Sequence, residues 1–339
     1  MRNDDTAAWT SYVMDSPLSH CYHQVGWKNV IEQSFGHNTY YLLAENSSGK
    51  IKGILPLIHI KSNFFGNYMV SLPFFNYGGI CADSTDAYSC LLSEAIRIAK
   101  GEKAEHIELR HMENKTIDLP VKTAKVSMRL SLPEKSEDLW KSLPSKLRNQ
   151  IRRPEKEDMH TQIGRHEELD SFYEVFSVNM RDLGTPVYSK EFFKNILKEF
   201  PESTWICSVY NKDGEPAAAG FLVGFKRMLE IPWASSQQKY NQYSPNMLLY
   251  WNVLKFACDN GYRVFDFGRS TPGEGTYRFK EQWGAKPTQL YWHYWLRNGG
   301  PLPELNPKNP KYQLAIKIWQ KLPVSLTRLL GPKIVKNLP

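Results

Sequence analysis

One order of elements occurs twice in this chain: a hairpin, a strand, a helix and a closing strand. In the first half, residues 39–46 alternate toward a strand, Ser47-Ser48-Gly49-Lys50 supplies a turn, and residues 51–60 return as the partner. A third strand is expected over residues 68–75. After it comes a helix with Leu91, Leu92, Ala95, Ile96 and Ala99 on one face, then a strand over 104–110. The second half begins again with residues 205–210, the turn Asn211-Lys212-Asp213-Gly214, and residues 215–225. A strand over 227–236 follows, with a helix marked by Met247, Trp251, Leu254 and Cys258 that stops at Gly261, and a strand over 262–268. Helices are expected ahead of each copy, over 22–35 in the first and over 167–181 and 189–200 in the second.

A strand-helix-strand crossover after an antiparallel meander produces a mixed sheet. The expected fold class is therefore α/β (α+β), with two tandem domains, each a mostly antiparallel sheet flanked by helices. A ligand cleft is expected where they meet. The expected division is 1–133, 134–297, and a linker with a basic tail over 298–339, since Pro133 and the charges after it interrupt both periodicities. A length of 339 residues suits two domains, because single cores rarely grow past about 250 to 300 residues.

The formal charge of +8 resolves on inspection into a local feature. From Asn306 to Pro339 the chain carries Lys308, Lys311, Lys317, Lys321, Arg328, Lys333 and Lys336 and no acid. The body is then close to neutral, which argues against a broad phosphate-tracking face and against DNA as a partner. Leu314, Ile318 and Leu322 recur at helical spacing among those lysines, a pattern suited either to an anionic membrane surface or to docking on the body. Five scattered cysteines without a Cys-x-x-Cys pair suit a reducing compartment and suggest neither a zinc knuckle nor a disulfide framework. Acids at Asp4 and Asp5 do not suit a secretory leader, and no long apolar run spans a bilayer. A cytoplasmic protein, peripheral at the inner face of the cytoplasmic membrane, is expected.

Pro232 interrupts the strand over 227–236, so a bulge or an end to pairing is expected there. Ser244-Pro245-Asn246 reads as an N-cap followed by proline at the first helical position, which leaves backbone N–H groups facing the preceding loop. An ordinary capped helix has the same pattern. Glu230 and Asp266 are candidate general bases, although strand carboxylates usually face water or a cation. His106, His111 and His293 read as packed or hydrogen-bonded residues.

Three segments of the second half carry a resemblance. They are Ser244-Pro245-Asn246-Met247-Leu248-Leu249-Tyr250-Trp251, Phe265-Asp266-Phe267-Gly268-Arg269-Ser270, and Gly275-Thr276-Tyr277-Arg278-Phe279-Lys280-Glu281-Gln282-Trp283-Gly284. Together they resemble the signature of FemAB-like proteins in the GNAT (N-acetyltransferase-like) superfamily. Residues 71–80 and the basic run Lys146-Leu147-Arg148-Asn149-Gln150-Ile151-Arg152-Arg153 are similar, more narrowly, to the FemAB-related group of exopolysaccharide and PEP-CTERM loci.

The resemblance implies two tandem GNAT-like domains and acyl or aminoacyl transfer to an amine of a cell-envelope or exopolysaccharide precursor. Acyl-CoA, an acyl carrier or aminoacyl-tRNA is the implied donor, and an amino-sugar or peptide-bearing precursor the implied acceptor. Lys280 matches the lysine of the family's Phe-Lys-x-x-Phe/Trp pattern and is implied to meet the tetrahedral oxyanion. Arg269, Ser270, Tyr277, Arg278 and Asn246, with Tyr77 and Gly78 from the first half, are the expected substrate-binding residues. Residues 237–244 lack the Arg/Gln-x-x-Gly-x-Gly/Ala loop of acetyl-CoA-dependent relatives, so no standard pyrophosphate cradle is expected. A CoA-dependent N-acetyltransferase of a small amine, and a non-enzymatic polysaccharide- or RNA-binding module using residues 148–156 and the tail, are the other two readings.

Overall fold

The computed structural model describes residues 5–115, 117–303 and 310–338. In chain order they form α1 (Thr6–Asp15), α2 (Gly26–Phe35), β1 (Asn38–Glu45), β2 (Ile51–Ser62), β3 (Gly66–Val70), β4 (Cys81–Ala82), α3 (Thr85–Gly101), β5 (His106–His111) and β6 (Val121–Lys122). There follow β7 (Val126–Ser131), α4 (Ser136–Ser142), α5 (Ser145–Glu155), β8 (His160–Gly164), α6 (Leu169–Asp182), α7 (Lys190–Glu199), β9 (Thr204–Tyr210), β10 (Pro216–Phe225) and β11 (Met228–Ser236). The chain continues through α8 (Pro245–Asp259), β12 (Val264–Ser270), α9 (Gly275–Glu281), β13 (Lys286–Gln289), β14 (Tyr291–Leu296), α10 (Pro310–Gln320) and α11 (Val324–Val335). The linker around Lys308 lies outside the described residues.

The described residues divide into two compact units, one from 1–126, 288–304 and 336–339, the other from 127–287 and 305–335. In the first unit the strand order is β1-β2-β3-β5-β14-β6, with β4 beside β2. The β1–β2 hairpin is antiparallel, whereas β3 and β5 run parallel because α3 carries the chain back between them. That helix starts on Ser84, whose side chain accepts from the Ala87 N–H, and it buries Leu91, Ala95 and Ala99 against Leu55, Leu57, Met69, Ile107 and Leu109. Sequence reading placed residues 291–296 in the second domain. In the structure they are β14, antiparallel to β5 in the first sheet, with His293 opposite Leu109.

The second unit holds the sheet β13-β7-β12-β11-β10-β9-β8. Strand β10 is buried along nearly its whole length, as expected for a strand covered on both faces. Phe221 faces one side, toward the rings of Phe172, Phe193 and Trp233, and its neighbour Gly220 faces Leu249 of α8. Helices α6 and α7 therefore cover one face and α8 the other. Loss of one such ring costs about 3–5 kcal/mol.

Helices α10 and α11 belong to this second unit and dock on α6. Arg328 donates to Ser177 Oγ at 2.8 Å, Arg181 donates to the Leu322 carbonyl at 3.2 Å, and Gly331 packs against the backbone of Val187. Of the two expectations for the tail, docking is realised by these contacts. Among the described residues no helix is long and apolar enough to cross a membrane.

Candidate active site

Strands β11 and β12 are parallel partners only from Met228↔Val264 through Glu230↔Asp266. Beyond that point β11 bulges: Phe221 of β10 faces Trp233 and Val223 faces Glu230, so Ile231 and Pro232 together stand against Leu222. Proline has no N–H to donate, and the parallel ladder ends just before it. Past that rung the two strands no longer pair with each other. Helix α8 begins beside this region with Pro245 at its first position. Ser244 occupies the cap position with φ +58° and its side chain makes no capping bond, which corrects the expected N-cap.

Lys280 lies in α9, folded back over the end of β12. Its side chain is nearly enclosed, at 8% exposure. The ammonium donates to the carbonyls of Gly268 at 3.0 Å and Arg269 at 2.9 Å. Two of its three N–H donors are thereby used, and the third has no acceptor among the described residues. Burial pulls the pKa down from 10.5 to about 8, the nearby carboxylates of Asp266 and Glu230 oppose that fall, and Arg269 adds to it. The group is a cation held at a pKa close to neutrality in a dry setting.

Asp266 and Glu230 face each other across the last rung of the parallel ladder, and both are buried. Asp266 accepts from Ser127 Oγ at 2.5 Å, Arg129 Nε at 3.0 Å and the Gly268 N–H at 2.8 Å. Its oxygens are occupied, so it acts as a brace for the turn at Gly268, whose φ is +76°. Ser270, buried at the end of β12, has a hydroxyl with no hydrogen-bond partner. Arg269 and Arg278 are exposed, while Tyr277 and Asn246 are half-buried. Phe279, half-buried, and Trp283, buried, pack on Tyr250, with centroids 5.0 and 6.2 Å away, and Tyr250 stacks on Phe267 at 5.5 Å. They seat α9 so that Lys280 reaches the strand.

Residues 142–281 match the model of the Acetyltransferase (GNAT) domain family, a span that takes in α5 through Lys280. Aminoacyltransferase FemB of Staphylococcus epidermidis is 30% identical over 87 residues, covering 23% of this chain and 21% of FemB. This chain thus matches about a fifth of that relative's length. Among solved structures, FemX superposes with a TM-score of 0.64 at 15% identity, covering 92% of this chain and 98% of FemX. A tandem GNAT protein from the clavulanic acid biosynthesis pathway superposes with a TM-score of 0.51 at 10% identity, over 89% of this chain and 97% of that one. Residues 142–281 thus resemble a GNAT domain, and the fold is that of the tandem GNAT-like structures.

The chain has two GNAT-like folds in tandem, and their parallel-strand openings differ. In the first unit the ladder between β3 and β5 stops at Val70↔Glu108. Residues 71–80 then fill the space, so the strand expected over 68–75 ends at Val70. Gly78 and Gly79 both donate to the Arg110 carbonyl, at 3.0 and 2.8 Å, and Arg110 reaches Glu108 at 2.6 Å and the Phe75 carbonyl at 2.5 Å. Leu72 and Phe74 take left-handed φ values of 64° and 74° within this plug. Tyr77 is fully buried, with its ring against Tyr22 and His20 at 5.1 and 5.3 Å. Its expected role in lining a substrate site is corrected: the ring is a core element. Gly78 belongs to the same plug.

His23, His111 and His293 are engaged in hydrogen bonds within the first unit. His23 Nδ1 accepts from the His20 N–H, so its Nε2–H donates to the Gly79 carbonyl at 2.8 Å. His111 Nε2 accepts from the Ile80 N–H, so its Nδ1–H donates to His293 Nδ1 at 3.1 Å. Both rings are thereby set as neutral tautomers. In the loop 237–244, Gln237 donates to the Pro216 carbonyl and Lys239 pairs with Glu215, so these side chains are tied to the start of β10. Ser127 and Arg129 were not anticipated from sequence. They lie on β7, about 140 residues before Asp266, and nothing in their local pattern marks them as its partners.

Proposed function

We propose that this chain is a FemAB-like transferase that moves an acyl or aminoacyl group to an amino group of a cell-envelope or exopolysaccharide precursor. The observation that carries the reading is the nearly enclosed Lys280 ammonium, with one N–H left over after the Gly268 and Arg269 carbonyls are satisfied. An amine attacking the carbonyl of a thioester or ester forms a C–N bond and places negative charge on the carbonyl oxygen. The third N–H of Lys280 meets that oxygen. Collapse of the tetrahedral species breaks the C–S or C–O bond, and the leaving thiolate or alkoxide takes up the proton released by the amine. Glu230 and Asp266, both buried and both acting on Lys280, are the candidate carboxylates for carrying that proton. A buried donor of this kind is worth about 2.7–4 kcal/mol in the transition state.

Acyl-CoA, an acyl carrier or aminoacyl-tRNA is the proposed donor, and an amino sugar or peptide amine the acceptor. FemB, an aminoacyltransferase, supports the aminoacyl form. The match to an acetyltransferase domain supports the second reading, CoA-dependent acetylation of a small amine. Five free cysteines fit the proposed cytoplasmic setting. The test is incubation of the purified chain with acetyl-CoA, longer acyl-CoA or charged tRNA together with amino-sugar and peptide amines, read by mass spectrometry. Transfer from charged tRNA supports the aminoacyl form, and transfer from acetyl-CoA alone supports the second reading. Absence of an amide product with every donor counts against both.

A further inference from the structure

We infer that helices α10 and α11 form a membrane-docking face that binds anionic lipid while remaining folded on the second unit. The two helices use one face for the protein. Ile316 packs on Gly184, Thr327 and Val335 are buried, Gly331 sits on Val187, and Arg328 stacks over the Tyr173 ring at 5.4 Å while bonding Ser177. A second set of positions points away from these contacts. Leu314 and Ile318, one turn apart on α10, are 62% and 54% exposed, and Leu326 and Leu329 on α11 are 37% and 62% exposed.

Large apolar side chains usually occur singly on a surface, whereas here four are exposed on two consecutive helices, which calls for a covering phase. Charge chooses which phase. Lys317 on α10, Lys321 just after it and Lys333 on α11 are exposed, and Lys317 and Lys321 have no ion pair among the described residues. From Asn306 to Pro339 the sequence contains no acid. Exposed leucines among lysines, with no carboxylate, are complementary to the headgroup boundary of an anionic bilayer. A neutral protein partner would not require this one-signed surface, and a second copy of the same face would bring lysines against lysines. Neither helix is long or apolar enough to span. Insertion is therefore shallow, with the helices lying along the interface.

The face is independent of the chemistry at Lys280, so the two readings fail separately. The test is co-sedimentation of the full chain with vesicles of phosphatidylcholine alone and of phosphatidylcholine mixed with phosphatidylglycerol, at low and high salt. Three lysines near an anionic surface, each worth roughly fivefold, predict on the order of a hundredfold tighter binding to the mixed vesicles, lost as salt rises. The triple variant Leu314→Ser, Ile318→Ser, Leu329→Ser should lose vesicle binding with an unchanged melting temperature, because those side chains are already exposed. Lys317→Glu with Lys321→Glu should abolish the preference for phosphatidylglycerol. Lys280→Ala should bind vesicles like the native chain. Equal binding to both vesicle types, absence of binding to either, or retention by the triple variant overturns the inference. So does a native dimer in light scattering that the triple variant converts to monomer, which would make the face a contact between copies.

Discussion

Replacing Lys280 by methionine separates the energetic role of the ammonium from its chemical one. Holding the side chain at a pKa of about 8 in place of 10.5 costs about 3 kcal/mol at pH 7, where the unfolded and folded forms are both charged. Methionine fills nearly the same volume and removes that cost. It also removes the bonds to the Gly268 and Arg269 carbonyls, worth about 1–1.5 kcal/mol each. The two effects offset, so the stability of Lys280→Met at pH 7, from urea unfolding, should lie within about 1 kcal/mol of native. As pH rises from 8 to 10.5 the native lysine loses its proton more readily folded than unfolded. The native chain should then gain about 3 kcal/mol relative to the variant across that window. Turnover behaves differently. Loss of the third N–H should lower kcat about 10²- to 10³-fold, and native activity should decline as pH passes through about 8, where the ammonium deprotonates. Lys280→Arg, charged throughout, should lack that alkaline limb. Unchanged turnover in Lys280→Met would refute the catalytic assignment. A stability loss well beyond about 3 kcal/mol would show that the lysine is a strut.

Three further outcomes follow from the contacts described. Asp266→Asn should destabilise the second unit by about 3 kcal/mol, because Arg129 loses its partner and the brace on Gly268 weakens; equal urea midpoints for variant and native would contradict this. Burial above all holds His111 well below its ordinary pKa. The unfolded chain therefore takes up a proton there that the folded chain refuses, and stability should fall as pH drops below about 6.5, a slope that disappears in a variant with glutamine at that position. Gly79→Ala should cost about 1–3 kcal/mol, since a Cβ there lies 2.5 Å from the His111 ring and 2.9 Å from the Arg110 carbonyl; an unchanged melting temperature would show that the plug yields without strain.

Local pattern made much of this legible. The alternation over 39–46, the Asp213-Gly214 turn and the one-sided apolar runs of α3 and α8 each report on neighbours within a few residues, which is the range over which side-chain period acts. Pro232 announced the bulge for the same reason, since a missing N–H is a property of one residue. Strand β3 ran shorter than its apolar stretch suggested because Ser71, Leu72 and Phe75 are buried in a plug that bonds to Arg110, and burial alone does not distinguish a strand from a packed loop.

The amino-acid sequence by itself determined the doubled element order, the site of the bulge and the acid-free basic tail, because each is written in residues adjacent along the chain. Tertiary structure alone decided that β14 returns to the first sheet, that Tyr77 is sealed in a core, and that Asp266 is braced from β7. It also decided that Lys280, which by spacing could be any solvated surface lysine, is enclosed with two carbonyls and one donor to spare. The reason is physical: what a charge experiences depends on dielectric and on partners brought together across long stretches of chain, and no local periodicity encodes either.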